Sequence, residues 1–331
     1  MKNPIITLKK PPKISASYSV AGHKEAEGPL GNLFNEVCLD DRFGKDTWEQ
    51  AESEMQRLAV SGAIKASGMQ DKEIDLILAG DLLNQCVGSS YAALGTGTPY
   101  VGLYGACSTC ALGLGIGACL YSGGILGACV SATSSHYCSS ERQFRYPLEY
   151  GGQRTPTAQW TTTGAGAFVL GRDGNVSITE VLFGRAIDKG IKDISNMGAA
   201  MAPSAIDTLK RYFQNSPHSP DYFDLIVTGD LGFEGSEILK DLLLGEGIDI
   251  RKKHVDCGLM LFDRENQDVH AGGSGCGCSA IVMAADIIPN IEKGVLKNVL
   301  FVGTGALMSP LSLFQGMSIP SISHLVCLSR G

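Results

Sequence analysis

The 331-residue chain carries 42 glycines, only 18% charged residues and a formal net charge of −7, from 27 Lys+Arg against 34 Asp+Glu. That length exceeds one typical domain and allows a large core, while an acidic chain whose longest basic run is Arg251-Lys252-Lys253 excludes a nucleic-acid partner. The 11 cysteines are odd in number and scattered through apolar contexts such as GACSTC and LGACV, which excludes a disulfide framework and points to a reducing compartment.

Along the chain, residues 1–30 carry LKKPPKISAS and no apolar h-region, so no secretory signal is expected. Asp46 with Glu49 reads as a capping box opening a helix that gathers Trp48, Met55, Leu58 and Ala59 on one face and stops at Gly68. IDLILAGDLLNQ (74–85) follows as an apolar strand. From residue 82 to residue 140 there is no Asp, Glu, Lys or Arg, but recurring Gly, Ser and Thr and the break at Pro99 favour a buried strand-helix-strand unit over a membrane span. Within it TPYVGLYGAC reads as a strand, STCALGLGIGACLYSG as a helix and ILGACVSAT as the next strand. Gly113, Gly115 and Gly117 each cost about 1 kcal/mol relative to Ala inside a helix, so this helix is expected to be central and crowded.

The turn LGRDGNVS, around 171–177, divides the chain into an N-terminal half (1–172) and a C-terminal half (173–331). Pro203 is expected in the first turn of a helix over SAIDTLKRYF. FDLIVTGDLGFE (223–234) then repeats the pattern of 74–85 at a distance of 149 residues, Cys257 stands in the second half as Cys107 does in the first, and NVLFVGTGA answers ILGACVSAT. Pro289 is expected to kink or end the helix CSAIVMAADIIPNIEKG. Short apolar strands alternating twice with helices give an internally duplicated α/β fold with parallel sheets covered on both faces.

Cys107 falls at a strand-to-helix turn, where helix N–H groups and the dipole favour a thiolate. Cys107-x-x-Cys110 and the CGC at 276–278 also have zinc or redox spacing, yet structural zinc pairs sit on small loops rather than in Gly-rich apolar helices, so no metal is expected there. The segment TSSHYCSSERQFRYPLEYGGQRTPTAQW (133–160) joins His136, Arg142, Arg145 and Arg154 with Phe144, Tyr146, Tyr150 and Trp160, accompanied by Gln153, Gln159, Thr161 and Thr163. Arginines grip carboxylates bidentately and aromatic faces receive flat rings, so this set fits a small aromatic acid.

These residues also carry a resemblance. The duplicated halves, the Cys opening a Gly-rich helix and GSGCGCSAIVMAADIIPNIEKGVLKNVLFVGTGALMS resemble the thiolase superfamily, in particular condensing enzymes of the ketoacyl-synthase III kind. GACST, SATSSHYCSSERQFRYPLEYGGQRTPTAQWTTTGAGA and HAGGSGCGCSA are similar, more closely, to the stage V sporulation protein AD family of spore-forming Firmicutes, over essentially the whole chain. The resemblance implies a thiolase-like fold: two pseudo-symmetric βαβ halves with mixed sheets in a layered α/β/α/β/α arrangement.

The family comparison implies a degenerate catalytic set. Where condensing enzymes carry a histidine this chain has GDLGFEG with Asp230; where they carry an asparagine it has GGSGCG with Ser274; where thiolases carry a second cysteine Val302 is nearby. A carboxylate beside Cys107 opposes thiolate formation. The resemblance therefore implies non-catalytic binding of dipicolinic acid (pyridine-2,6-dicarboxylate), with calcium accompanying it, for uptake into the spore and release in germination. The candidate contacts are Cys107, His136, Arg142, Arg145, Arg154, Gln159, Trp160, Asp230 and Ser274. It further implies a homodimer at the periphery of the spore inner membrane, acting with membrane proteins of the same stage V sporulation operon. The alternative is a Cys-dependent acyltransferase with His270 or His136 as base.

Overall fold

The computed structural model describes residues 3–144 and 153–331. The first half builds β1 (Ile6–Thr7), β2 (Lys13–Ala21), α1 (His23–Ala26), β3 (Glu36–Val37), α2 (Trp48–Ser67), β4 (Leu76–Gly80), α3 (Val87–Ala92) and β5 (Tyr100–Gly102). It continues through α4 (Thr109–Ser122), β6 (Cys129–Ser135), α5 (Tyr137–Phe144), β7 (Trp160–Thr161) and β8 (Gly164–Gly171). After a turn at 172–175 come β9 (Val176–Leu182), α6 (Met197–Asn215), β10 (Leu225–Thr228), α7 (Gly232–Gly245), β11 (His254–Asp256), α8 (Cys257–Leu261) and β12 (Gly273–Ser274). The chain closes with α9 (Cys276–Val282), a π-helical turn over Met283–Ile287, α10 (Ile288–Glu292), β13 (Asn298–Ala306), α11 (Pro310–Phe314) and β14 (Ser321–Arg330).

The main sheet runs β11-β10-β13-β14-β9-β2-β8-β6-β4-β5, with β1 on β9 and β3 on β2. Numbered along the chain within each half, the strands stand in one spatial order from the outer edge inward: third, second, fourth, fifth, first. Directions match as well. β4 is parallel to β5 and β6, as β10 is to β11 and β13, whereas β8 and β14 lie antiparallel to both neighbours. The sheet is therefore mixed; the connection from β13 to β14 holds only the short α11, which permits an antiparallel return and not a crossover. The halves meet where β2 pairs β9 at Lys13–Ser177 and Ile14–Val176.

Helix packing creates the layers. α2 covers β2, β8 and β6 on one outer face, and α6 with α7 covers β14 and β13 on the other. Between them α4 touches β6 and β4 of its own half and β13 and β14 of the other, and α9 packs on β8, β6 and β2. The largest apolar cluster, including Leu114, Phe168, Ile281 and Phe301, fills this middle layer. As its glycines foretell, α4 is crowded: a Cβ on Gly117 would stand 2.8 Å from Leu170 Cδ1.

Three helix details differ from expectation. The N-cap of α2 is Thr47, whose side chain accepts from Gln50 N, and the buried stripe includes the polar Glu52 and Gln56. α6 begins six residues before Pro203, because Asn196 caps it by accepting from Ala199 N and Met197, Ala200 and Met201 already bury one face. Pro289 does not end its helix; the π-helical turn before it absorbs the break and α10 continues to Glu292.

Backbone contact across the middle layer leaves no room for side chains at one place in β8. A Cβ on Gly166 would lie 2.5 Å from the Ala280 carbonyl oxygen of α9. Gly166→Ala is expected to lower unfolding free energy by about 2 kcal/mol or more, read as a lower urea midpoint at unchanged slope; an unchanged midpoint refutes this account of the layer.

Candidate functional site

A cleft opens beyond the ends of β4, β10 and β13, the position where α/β sheets commonly bind ligands. Its walls are Leu82 after β4, Tyr104, Ala106 and Cys107 before α4, Ser140, Glu141 and Phe144 of α5, Thr161 of β7, Met197 and Met201 of α6, Ser274 of β12, Ala306 at the end of β13 and Met308 after it. It encloses about 490 Å³ including its mouth, of which the centre of a water molecule can occupy about 50 Å³. The sequence bends sharply here: Ala106 holds a left-handed backbone with φ 48°, a conformation that costs of order 1 kcal/mol and places Cys107 at the wall.

Behind Cys107 stands the fully buried Asp230. Its carboxylate accepts from Thr304 Oγ1 at 2.7 Å, Gly275 N at 2.8 Å and Ser274 Oγ at 3.1 Å, and its charge acts on the nearby Cys107 thiol. The loop bearing Asp230 is pinned twice over. Asp256 accepts from Thr228 Oγ1 at 2.6 Å, Leu231 N at 2.8 Å and Gly232 N at 3.0 Å, and Gln159 Nε2 donates to the carbonyls of Asp230 and Gly273, both at 2.8 Å. Burial pushes the Asp230 carboxyl up to about 6 and Asp256 up to about 7.

The Cys107 thiol is raised well above its ordinary range, first by burial and then by the Asp230 charge. The helix dipole expected to favour a thiolate is therefore overridden: α4 starts two residues later, at Thr109, and the nearest full charge is negative. Cys276 packs beside Cys107 and Leu82, donates its S–H to the Ser134 carbonyl at 3.0 Å, and is likewise raised by burial.

A second buried acid cluster supports the opposite wall. Asp81 accepts from Leu83 N at 2.8 Å, Ser89 N at 2.7 Å and Ser89 Oγ at 2.6 Å, fixing the turn that presents Leu82. Glu52 accepts from Ser139 Oγ at 2.6 Å and Ser134 Oγ at 3.2 Å, and burial lifts its carboxyl to about 8. Asp81 and Asp230 occupy the same place in the repeated Gly-Asp-Leu motif, so the repeat was the available signal for Asp81.

Of the sequence candidates, Cys107 and Ser274 line the cleft, with Asp230 and Gln159 directly behind it. Phe144 and Thr161 line it too. His136 does not: it is buried, its Nδ1 accepts from Cys138 N at 3.1 Å, and its Nε2, which must then carry the proton, donates to the Asp41 carbonyl at 2.7 Å. Burial lowers its basicity. Arg142 points outward to Glu49.

Arg154, with a side chain only 9% exposed, pairs with Asp268 at 2.7 Å and lies over Trp160, away from the cleft. Trp160 stacks on Tyr137 with ring centroids 3.9 Å apart, because alternation along β7 turns it to the face opposite Thr161. His270 is engaged with the Thr155 carbonyl at 2.6 Å and Asp268 at 2.9 Å, outside the cleft. Arg145, Tyr146 and Tyr150 lie outside the described residues. Sequence reasoning missed Glu141, Met197, Met201 and Met308, which ordinary helix or loop patterns do not distinguish. Among the described residues the one acidic side chain on the cleft wall is Glu141, which accepts from Thr161 Oγ1 at 2.9 Å, and no group of three metal-ligating side chains exists.

Replacing Asp230 by Asn removes the charge that opposes the thiolate. Iodoacetamide labelling of Cys107 is expected to be slow in the parent protein at pH 8 and to shift several-fold faster, toward lower pH, in Asp230→Asn; an unshifted pH profile contradicts the assigned cause.

The sequence model of the family described as "Stage V sporulation protein AD (SpoVAD)" matches residues 3–329. "Stage V sporulation protein AD" of Bacillus subtilis (strain 168) is 42% identical over 318 residues, covering 96% of this chain and 94% of the relative. Among solved structures, 3-oxoacyl-[acyl-carrier-protein] synthase III from Aquifex aeolicus VF5 superposes with a TM-score of 0.55 at 14% identity, over 95% of this chain and 99% of that one. Cerulenin-bound OleA from Xanthomonas campestris gives 0.60 at 14% identity, over 98% and 99%. These likenesses establish the thiolase-like, ketosynthase III type of fold, as the sequence motifs led one to expect.

Proposed function

The chain belongs to the stage V sporulation protein AD family, and from that premise we propose that its cleft binds pyridine-2,6-dicarboxylate without transforming it. The observation carrying this reading is the buried Cys107 on the cleft wall with the fully buried carboxylate of Asp230 behind it, itself held by Ser274, Gly275 and Thr304. Acyl transfer needs an activated thiolate; here the neighbouring carboxylate opposes that anion by its own negative charge, and among the described residues no histidine lines the cleft.

The walls also bear on the form in which the ligand enters. Leu82, Phe144, Met197, Met201 and Met308 offer apolar faces to a ring, and Ser140, Thr161 and Ser274 offer hydroxyls to carboxylates. The buried carboxylate of Asp230 behind the wall opposes a free dianion. A calcium ion travelling with the ligand offsets that repulsion, since carboxylate oxygens are its preferred donors. In this reading the protein serves uptake into the spore and release in germination, at the periphery of the inner membrane and beside membrane proteins of the same operon; no helix among the described residues is long and apolar enough to cross a membrane.

The proposed homodimer forms at β5. Both sheet edges are three-residue strands, but β11 is preceded by Arg251, Lys252 and Lys253, whereas β5 exposes Val101 within the charge-free span 82–140. Charge guards an edge against pairing and its lack invites it. Sedimentation velocity is expected to find a dimer that Val101→Lys dissociates; a parent protein sedimenting as a monomer refutes this partner.

Calorimetric titration is expected to give saturable binding of dipicolinate in the presence of calcium. Ala306→Phe, which fills the cleft, should abolish it. Asp230→Asn should narrow the gap between calcium-loaded and calcium-free ligand by about tenfold, equivalent to about 1.4 kcal/mol. No binding under either condition, or a stable acyl adduct on Cys107 after incubation with acyl-CoA, refutes the reading in favour of acyl transfer or scaffolding.

A further inference from the structure

Between Lys297 and Arg330 the chain has no Asp, Glu, Lys or Arg. From this span α11 and the turn after it project outward, with Leu311 67%, Phe314 87% and Met317 56% exposed. The intervening Ser312, Gln315 and Gly316 are uncharged. The projection is anchored at its base: Leu307 N donates to the Pro320 carbonyl at 2.7 Å, Ile319 N to the Ile191 carbonyl at 2.8 Å, and Ser318 Oγ to Asp188 Oδ2 at 2.6 Å. Three large apolar side chains are thus held in water by an ordered backbone, a pattern that marks an interaction surface.

What covers it is indicated by the trough beneath. Phe144, Ile194, Leu313, Phe314 and Met317 line a groove in which the centre of a water molecule can occupy about 260 Å³, and among the described residues its one charged lining residue is Lys192. An apolar trough with a single cation at its margin matches an amphiphile, a hydrocarbon chain ending in an anionic head. Residues 310–317 above it carry no charged side chain, so immersing them in an acyl region desolvates no ion.

We propose that α11 and residues 315–317 insert into an anionic phospholipid surface, Leu311, Phe314 and Met317 entering the acyl boundary while Lys192 meets a lipid phosphate. The surrounding acidic chain, with its net charge of −7, is repelled by the same surface and leaves this face as the one that docks. Because Phe144 belongs both to the trough and to the cleft wall, the docked face lies next to the cleft mouth. This deepens the peripheral membrane placement proposed above by giving the chain its own contact with lipid, and it is independent of what the cleft binds.

The test is flotation of the full chain with protein-free vesicles of phosphatidylglycerol and phosphatidylethanolamine. The parent protein should float with them, and Leu311→Ser combined with Phe314→Ser should weaken association about tenfold or more; Lys192→Glu should weaken it for these vesicles and have little effect for phosphatidylcholine alone. Phe314→Trp, which keeps an apolar side chain and so guards against misfolding of the serine variant, should show a blue-shifted indole emission when vesicles are added. A parent protein that stays unbound overturns the proposal and points to a proteinaceous partner for the patch, as does flotation undiminished by the serine changes or an unshifted emission from the Phe314→Trp variant. Dipicolinate titration of the same variants separates this failure from failure of the cleft reading.

Discussion

The hydrogen-bonded carboxylate of Asp230 is the constraint on which the cleft depends. Segments remote in sequence converge on it: Ser274 and Gly275 before α9 and Thr304 in β13 donate to it, and the Cys107 thiol before α4 feels its charge. A buried carboxylate is costly unless its oxygens are satisfied, so each donor is held to a narrow position and the cleft wall is fixed with it. The same satisfaction keeps the proton on sulfur. Geometry that in a condensing fold could serve a nucleophile here serves shape and polarity.

Duplication supplies this arrangement and then breaks its symmetry. Gly80-Asp81 and Gly229-Asp230 follow equivalent strands, and each aspartate gathers N–H and hydroxyl donors. Asp81 uses its hydrogen bonds on the start of α3 and the turn before it, whereas Asp230 is held by Ser274, Gly275 and Thr304 of its own half and acts on Cys107 of the other. One motif has become a structural staple in the first half and a site residue in the second.

Much of the fold was legible in the sequence because burial leaves strong marks: the repeat at 149 residues, the charge-free span and the glycines of α4 all correspond to features of the middle layer. The helix starts were less so, since Thr47 and Asn196 are caps whose competitors, Asp46 and Pro203, look equally good in isolation. In the candidate site, Cys107, Asp230 and Ser274 were legible because they occupy motif positions. The arginines were not. Arg142 and Arg154 find carboxylates on the surface, in Glu49 and Asp268, that lie 93 and 114 residues away in sequence, and nothing local tells which way a long flexible side chain will turn. Trp160 and Thr161 differ by one residue in a strand, and period-two alternation sends one to the cleft and the other away from it.

The exchange of helices across the middle layer has a consequence for biosynthesis. α4 is made early, yet two of the strands it packs against, β13 and β14, are the last parts of the chain to be synthesised. Until then the first half leaves the ribosome with an apolar, uncharged helix face and an unclosed sheet edge at β2. Neither half can complete its own core, so the chain passes through a long interval in which its stickiest surface is open, the condition under which nascent proteins depend on chaperones. Rapid supply of the C-terminal strands is then as much a requirement of this fold as any packing contact within it.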